Sequence, residues 1–276
     1  MSNCAFGYPI FSDASVSYTP TLSGGSFQAA LPLTNLQDRQ LSKLARSTNA
    51  LAASTTFDID LKTARDVGVL SILLPNITKS STPTVQWKLS NVSNFGSTVY
   101  DSTALQAWPT GVTAEDADGM NIWSTHVPAS TQNARYIRVA VVDTANADGY
   151  VDFARVCVCG RYVPTTNFSL GSRSQLESET VRKVTDGGAA VYRERPRRRG
   201  HVISLANIPE SEALGGAVNP WKLTRRAGTS GQLFFVYDTA DSYMHERAFL
   251  AVLRSLGALE NPDYRYAMAF DIVEEL

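Results

Sequence analysis

Charge is what this 276-residue sequence has little of: 18% of its residues are Asp, Glu, Lys or Arg, against about a quarter in an ordinary soluble domain. The 25 basic residues meet 26 acidic ones, for a formal net charge of −1, which argues against a general affinity for nucleic acid. Cysteine is nearly missing. Cys4, Cys157 and Cys159 are too few and odd in number for a disulfide framework, and none forms a C-x-x-C. The longest apolar stretch, 67–74, is far below the roughly 18 residues of a membrane helix, so membrane insertion is not expected. The first residues carry neither a basic segment nor an apolar one, so no secretory signal is expected. Histidine is limited to His126, His201 and His245, far apart and outside any H-E-x-x-H pattern. G-x-S-x-G, the P-loop and a post-strand G-x-G-x-x-G are also missing. Neither an enzyme nor a cofactor is expected.

What is present is a 43% hydrophobic fraction, which argues against disorder, in a chain long enough for one large or two medium domains. Composition changes near residue 165. Residues 1–165 hold 36 Ser and Thr and a single Glu, Glu115, whereas 166–276 hold 15 Ser and Thr and nine Glu. The stretch 162–171, punctuated by Pro164 and Gly171, reads as a connector. Two domains are therefore expected, 1–165 and 166–276.

The first half reads as short strands at 27–33, 56–61, 67–74, 84–90 and 136–142, separated by Gly, Pro, Asn and Ser clusters. Such spacing is the signature of a β-sandwich. The Asp148-Gly149 pair suggests a hairpin over 136–158. Within it, Cys157 and Cys159 fall on one face of a strand and read as small core residues; a metal pair would need further ligands nearby. In the second half, strands are expected from 187, at 201–205, 232–238 and 264–276. Asn219-Pro220 reads as an N-cap with Pro at N1, and Gly228 as the helix stop. The segment 248–256 fits either a helix or a strand.

Three features invite a functional reading. Asp143, Asn146, Asp148 and Asp152 crowd oxygen ligands into ten residues, a candidate Ca²⁺ site, although Arg155 stands where an EF-hand places its bidentate Glu; a plain Asx-and-Gly turn is the simpler reading. Arg193, Arg195, Arg197, Arg198 and Arg199 form a dense run. Arginine is favoured at protein interfaces, so this run is expected to meet acidic residues of a neighbouring subunit, with Asp263, Asp271, Glu274 and Glu275 as partners. Trp87 alternates with core residues. Trp108 and Trp123 sit in loop-like context, where they either stack on a sugar or close the end of a core.

Thr56-Phe-Asp-Ile-Asp-Leu61, the run 69–74, Val85-Gln-Trp-Lys-Leu-Ser90 with Val99-Tyr-Asp-Ser102, Ala134-Arg-Tyr-Ile-Arg-Val139 and Asp148-Gly-Tyr-Val-Asp-Phe-Ala-Arg-Val156 resemble galactose-binding-like (discoidin-type) jelly-roll domains. The connector Gly160-Arg-Tyr-Val-Pro and the terminal Phe270-Asp-Ile-Val-Glu-Glu-Leu276 complete a layout similar to minor tail or distal tail (baseplate) proteins of long-tailed bacteriophages. The resemblance implies a mainly β protein: an N-terminal jelly-roll β-sandwich and a second β-rich α+β domain of tail-tube, ring-forming type with one short helical segment. It implies a structural virion protein, made in the host cytoplasm and placed in the tail tip. Its partners would be copies of itself in a cyclic hexamer or trimer, and tail-tube, hub or fibre proteins. The alternative is a carbohydrate-binding module serving host attachment through loops near Trp108 and Trp123.

Overall fold

The computed structural model describes residues 3–117, 119–168, 171–261 and 264–276; Asp263 lies outside the described residues. The chain is mainly β, and two antiparallel sheets carry most of it. The smaller has five strands in the order Thr21–Ser23, Thr56–Val67, Gln132–Val142, Thr84–Ser90 and Thr98–Gln106. Alternation builds it. Phe57, Ile59 and Leu61, then Val85, Trp87 and Leu89, then Ile137, Val139 and Val141 are buried in one core. On the other face Arg138 donates to Asp58 at 2.7 and 2.8 Å and Arg135 to Asp60 at 2.8 and 3.0 Å, opposite-charge pairs that support a solvated sheet face.

The larger sheet has ten strands. Its path runs Arg173–Glu177, Arg198–Ile208, Tyr266–Glu274, Ala248–Ser255, Gln232–Val236, Ala5–Ile10, Arg155–Tyr162, Val69–Leu73 and Trp123–His126, with Leu259–Glu260 added beside Tyr266–Glu274. Its central strands are apolar on both faces because both faces are covered. Val156, Val158, Leu70 and Ile72 face the five-stranded sheet. Cys157, Cys159, Val69 and Leu73 face a second core with Phe6, Phe234, Phe235 and Phe270. The sheet curls enough that Trp123, on its last strand, meets the Phe234 ring edge-on at 5.2 Å.

The compositional change near residue 165 is not mirrored by a gap in the sheet. Ala5–Ile10 pairs with Arg155–Tyr162 on one side and with Gln232–Val236 on the other, so the first strand joins the two halves. The approach is close: a Cβ at Gly160 would stand 2.7 Å from the Tyr8 carbonyl oxygen. Arg155, fully buried, ties the same junction by donating to the Asp38 carbonyl at 2.8 Å, Asp13 at 3.1 Å and Gln232 at 3.3 Å.

Several expectations change. Gln132–Val142 and Arg155–Tyr162 belong to different sheets, so the segment between them is a crossover and not a hairpin. It contains the short strand Asp152–Phe153, which pairs with Ala45–Arg46. The expected strand at 27–33 is a single bridge at Phe27 followed by turns and a 3₁₀ helix, Leu33–Gln37, where Pro32 lacks the N–H a strand ladder needs. The segment 248–256 is a strand, Ala248–Ser255. Around the expected helix there are two, Glu210–Ala213 and Pro220–Ala227. Asn219 caps the latter through its side chain, 2.7 Å from the Lys222 N–H, and Gly228 ends it at φ 56°.

Candidate functional site

The candidate cation ligands are used internally. Asp143 Oδ2 accepts from the Thr78 N–H and the Asn146 side chain, both at 2.9 Å. Asp148 accepts from Asn76 at 3.0 Å. Asp152 takes a two-pronged pair from Arg46 at 2.7 and 2.9 Å. Among the described residues no group of three His, Cys, Asp or Glu is placed to hold a metal. The arrangement builds a rigid crossover.

The arginine run divides in two. Arg199 is buried and pairs with buried Glu274 inside one chain, its Nε 2.9 Å from Oε2. Its remaining donors reach the His245 carbonyl at 2.8 Å and the Asn121 carbonyl at 3.0 Å. Neither Arg199 nor Glu274 is available to a neighbouring subunit, so both leave the candidate interface. Glu275 is half-buried and binds Leu250 through its backbone. Arg193, Arg195 and Arg197 are exposed; Arg195 pairs with Glu179 at 3.1 Å. Arg193 ends a projecting two-stranded ribbon, Val181–Val184 with Ala190–Arg193, turned at Gly188, and Arg195 and Arg197 follow it in the segment that leads to Arg198–Ile208. The sequence signal for that ribbon was the Gly187-Gly188 pair between two short valine-containing runs.

Trp108 and Trp123 are both buried, at 5% and 4% exposure, so neither offers a free ring face. Trp123 is a core residue. Trp108 donates from Nε1 to the Val112 carbonyl at 2.8 Å, and what remains accessible of it lines an open cleft of about 480 Å³ with Lys79, Ser80, Ser81, Gln106 and Thr110. The Lys79 ammonium stands 5.6 Å from the indole centroid. Thr110 donates to Gln106 Oε1 at 2.9 Å, so the Gln106 amide nitrogen and the Lys79 ammonium are left as donors at this cleft. Sequence reasoning found Trp108 and missed the rest: Gln106 and Thr110 flank it two residues away on either side but form no recognisable motif, and Lys79, from a separate loop, is brought beside them only by the fold.

The nucleophile candidates are quiet. Burial pushes the Cys4 and Cys157 thiols up to about 12, and Cys159 well above its ordinary range, so no reactive thiolate is present at neutral pH. His201 accepts or donates a 2.8 Å hydrogen bond between Nδ1 and Ser174 Oγ. Burial, with the Arg199 and Arg247 charges adding to it, holds His201 down at about 4, far from a general base poised near neutrality. Its ring stacks on Phe249 at 5.5 Å, the surroundings of a packing residue.

No family model and no curated protein matches the sequence. Among solved structures the chain is similar to CBM32-1 from a family 31 glycoside hydrolase of Clostridium perfringens, at 14% identity over 51% of this chain and 93% of that one, TM-score 0.36. It is also similar to the family 32 CBM from C. perfringens NanJ in complex with galactose, at 15% identity over 57% and 99%, TM-score 0.39. A third is the lectin domain of lectinolysin complexed with Lewis B antigen, at 14% identity over 56% and 98%, TM-score 0.40.

Proposed function

We propose that this chain is a non-catalytic binding protein whose sandwich takes a carbohydrate in the cleft beside Trp108. The cleft itself carries the reading. It sets the small accessible part of the buried Trp108 side chain among the hydroxyls of Ser80, Ser81 and Thr110, the Gln106 amide and the Lys79 ammonium, and an open cleft in which several polar groups converge suits a hydroxyl-rich ligand. A glycan array probed with the purified chain tests it. Binding to a defined subset of glycans is the expected result; an array with no signal overturns the reading.

A second reading is a structural subunit of a long-tailed phage tail tip or baseplate, joining tube to hub or fibres as a cyclic hexamer or trimer. The projecting ribbon favours it, since an element exposed along its length serves contact with another subunit better than it serves its own fold. A chain that stays monomeric and never joins tail-tip particles would contradict this reading. The two are compatible in one molecule.

A further inference from the structure

Among the described residues, the ribbon formed by Val181–Val184 and Ala190–Arg193 is exposed along both of its strands. We propose that it is a docking arm that packs on the body of a second copy of this chain, which deepens the second reading above and does not depend on the carbohydrate reading. Every residue from 181 to 197 is exposed, and a two-stranded ribbon with nothing behind it is marginal in water. Yet Val181, Val184, Val191 and Tyr192 stand 42%, 58%, 57% and 58% exposed. Pairing places Val181 opposite Arg193, Arg182 opposite Tyr192, Lys183 opposite Val191 and Val184 opposite Ala190. Opposed residues share a face and alternate residues change face. Val181 and Val191 therefore lie on one face and Val184 and Tyr192 on the other. Each face also carries basic side chains, so the surface that receives the arm covers both sides and is acidic.

Charge names the occupant. Residues 181–198 hold six basic and two acidic side chains, a net of +4, which leaves 19 basic and 24 acidic on the rest of the chain, a net of −5. A copy of this chain thus presents a body of opposite sign to its arm, and complementary charge speeds encounter and fixes register. The buried Arg199–Glu274 pair holds the root of the arm to the large sheet, and the strand that leads into it leaves Leu176 67% exposed, extending the apolar surface to the body.

Sedimentation of the full chain at micromolar concentration is compared with two variants. One replaces residues 181–193 by a short Gly-Ser linker, and the other carries Val184→Ser, Val191→Ser and Tyr192→Ser together. The wild type is expected to give a defined multiple of 30.0 kDa. Both variants should associate at least about tenfold more weakly with an unchanged thermal transition. Raised salt should weaken the wild type and the serine variant, which keeps the basic charge of the arm, and leave the linker variant unchanged. A monomeric wild type overturns the proposal, as does an oligomer that survives both variants; in that second case the ring reading stands through another surface. Ribbon-dependent binding of RNA or of anionic vesicles by a monomeric wild type also overturns it.

Discussion

Two arginines, Arg155 and Arg199, are buried where a charge count would place them on the surface, and both are held by partners far along the chain. Arg199 meets Glu274 across 75 residues and Arg155 meets Asp13 across 142. Removing one member of such a pair strands the other charge in a poorly solvated site. Arg199→Ala is therefore expected to lower stability by about 3–5 kcal/mol, read by chemical denaturation, whereas Arg197→Ala, in the exposed segment after the ribbon, should stay within about 0.5 kcal/mol. His201 gives a pH dependence. Its folded value near 4 lies below the ordinary value near 6.5, so the unfolded chain takes up a proton first as pH falls. The contribution is whole above about pH 6.5 and is lost on the way down to about pH 4, amounting to roughly 3 kcal/mol. His201→Phe should flatten that part of the stability profile; an unchanged profile would remove His201 as its source.

At the scale of elements, the helix Pro220–Ala227 rests on local signals that could be read in advance. Asn219→Ala should cost about 1 kcal/mol through the lost cap, measured by thermal unfolding. The strands of the five-stranded sheet were equally legible, because one buried face imposes strict alternation on Phe57, Ile59 and Leu61 and on Val85, Trp87 and Leu89. The supposed hairpin over 136–158 was misread because a short Asp-Gly loop between two apolar runs ordinarily joins adjacent strands. The correcting signal lay in the runs themselves: Ala134 to Val141 alternates, whereas Val156-Cys-Val-Cys159 is apolar on both sides and belongs in a sheet covered on both faces. The cleft beside Trp108 was only partly legible, since Lys79 and Gln106 carry no pattern and a loop residue meets a strand end there only through the fold. Trp108 itself was placed in a loop, but its indole is turned inward to the Val112 carbonyl.

For the whole molecule, the large sheet matters most. The strand Ala5–Ile10 lies between strands from both compositional halves, and one core holds Cys4, Phe6, Cys157 and Cys159 together with Phe234, Phe235 and Phe270. A shared sheet and core predict a single cooperative unfolding transition, with fragment 1–165 alone unstable because its Phe6 and Cys159 would lose the apolar surface they pack on. Two separated transitions in calorimetry would contradict this.

The proposed carbohydrate site beside Trp108 is tested by titration calorimetry of an array-selected glycan against the wild type and a Lys79→Ala/Gln106→Ala variant. Both side chains are exposed, so the variant is expected to fold as the wild type does and to bind at least about tenfold more weakly. Equal affinity in the two proteins would contradict the claim.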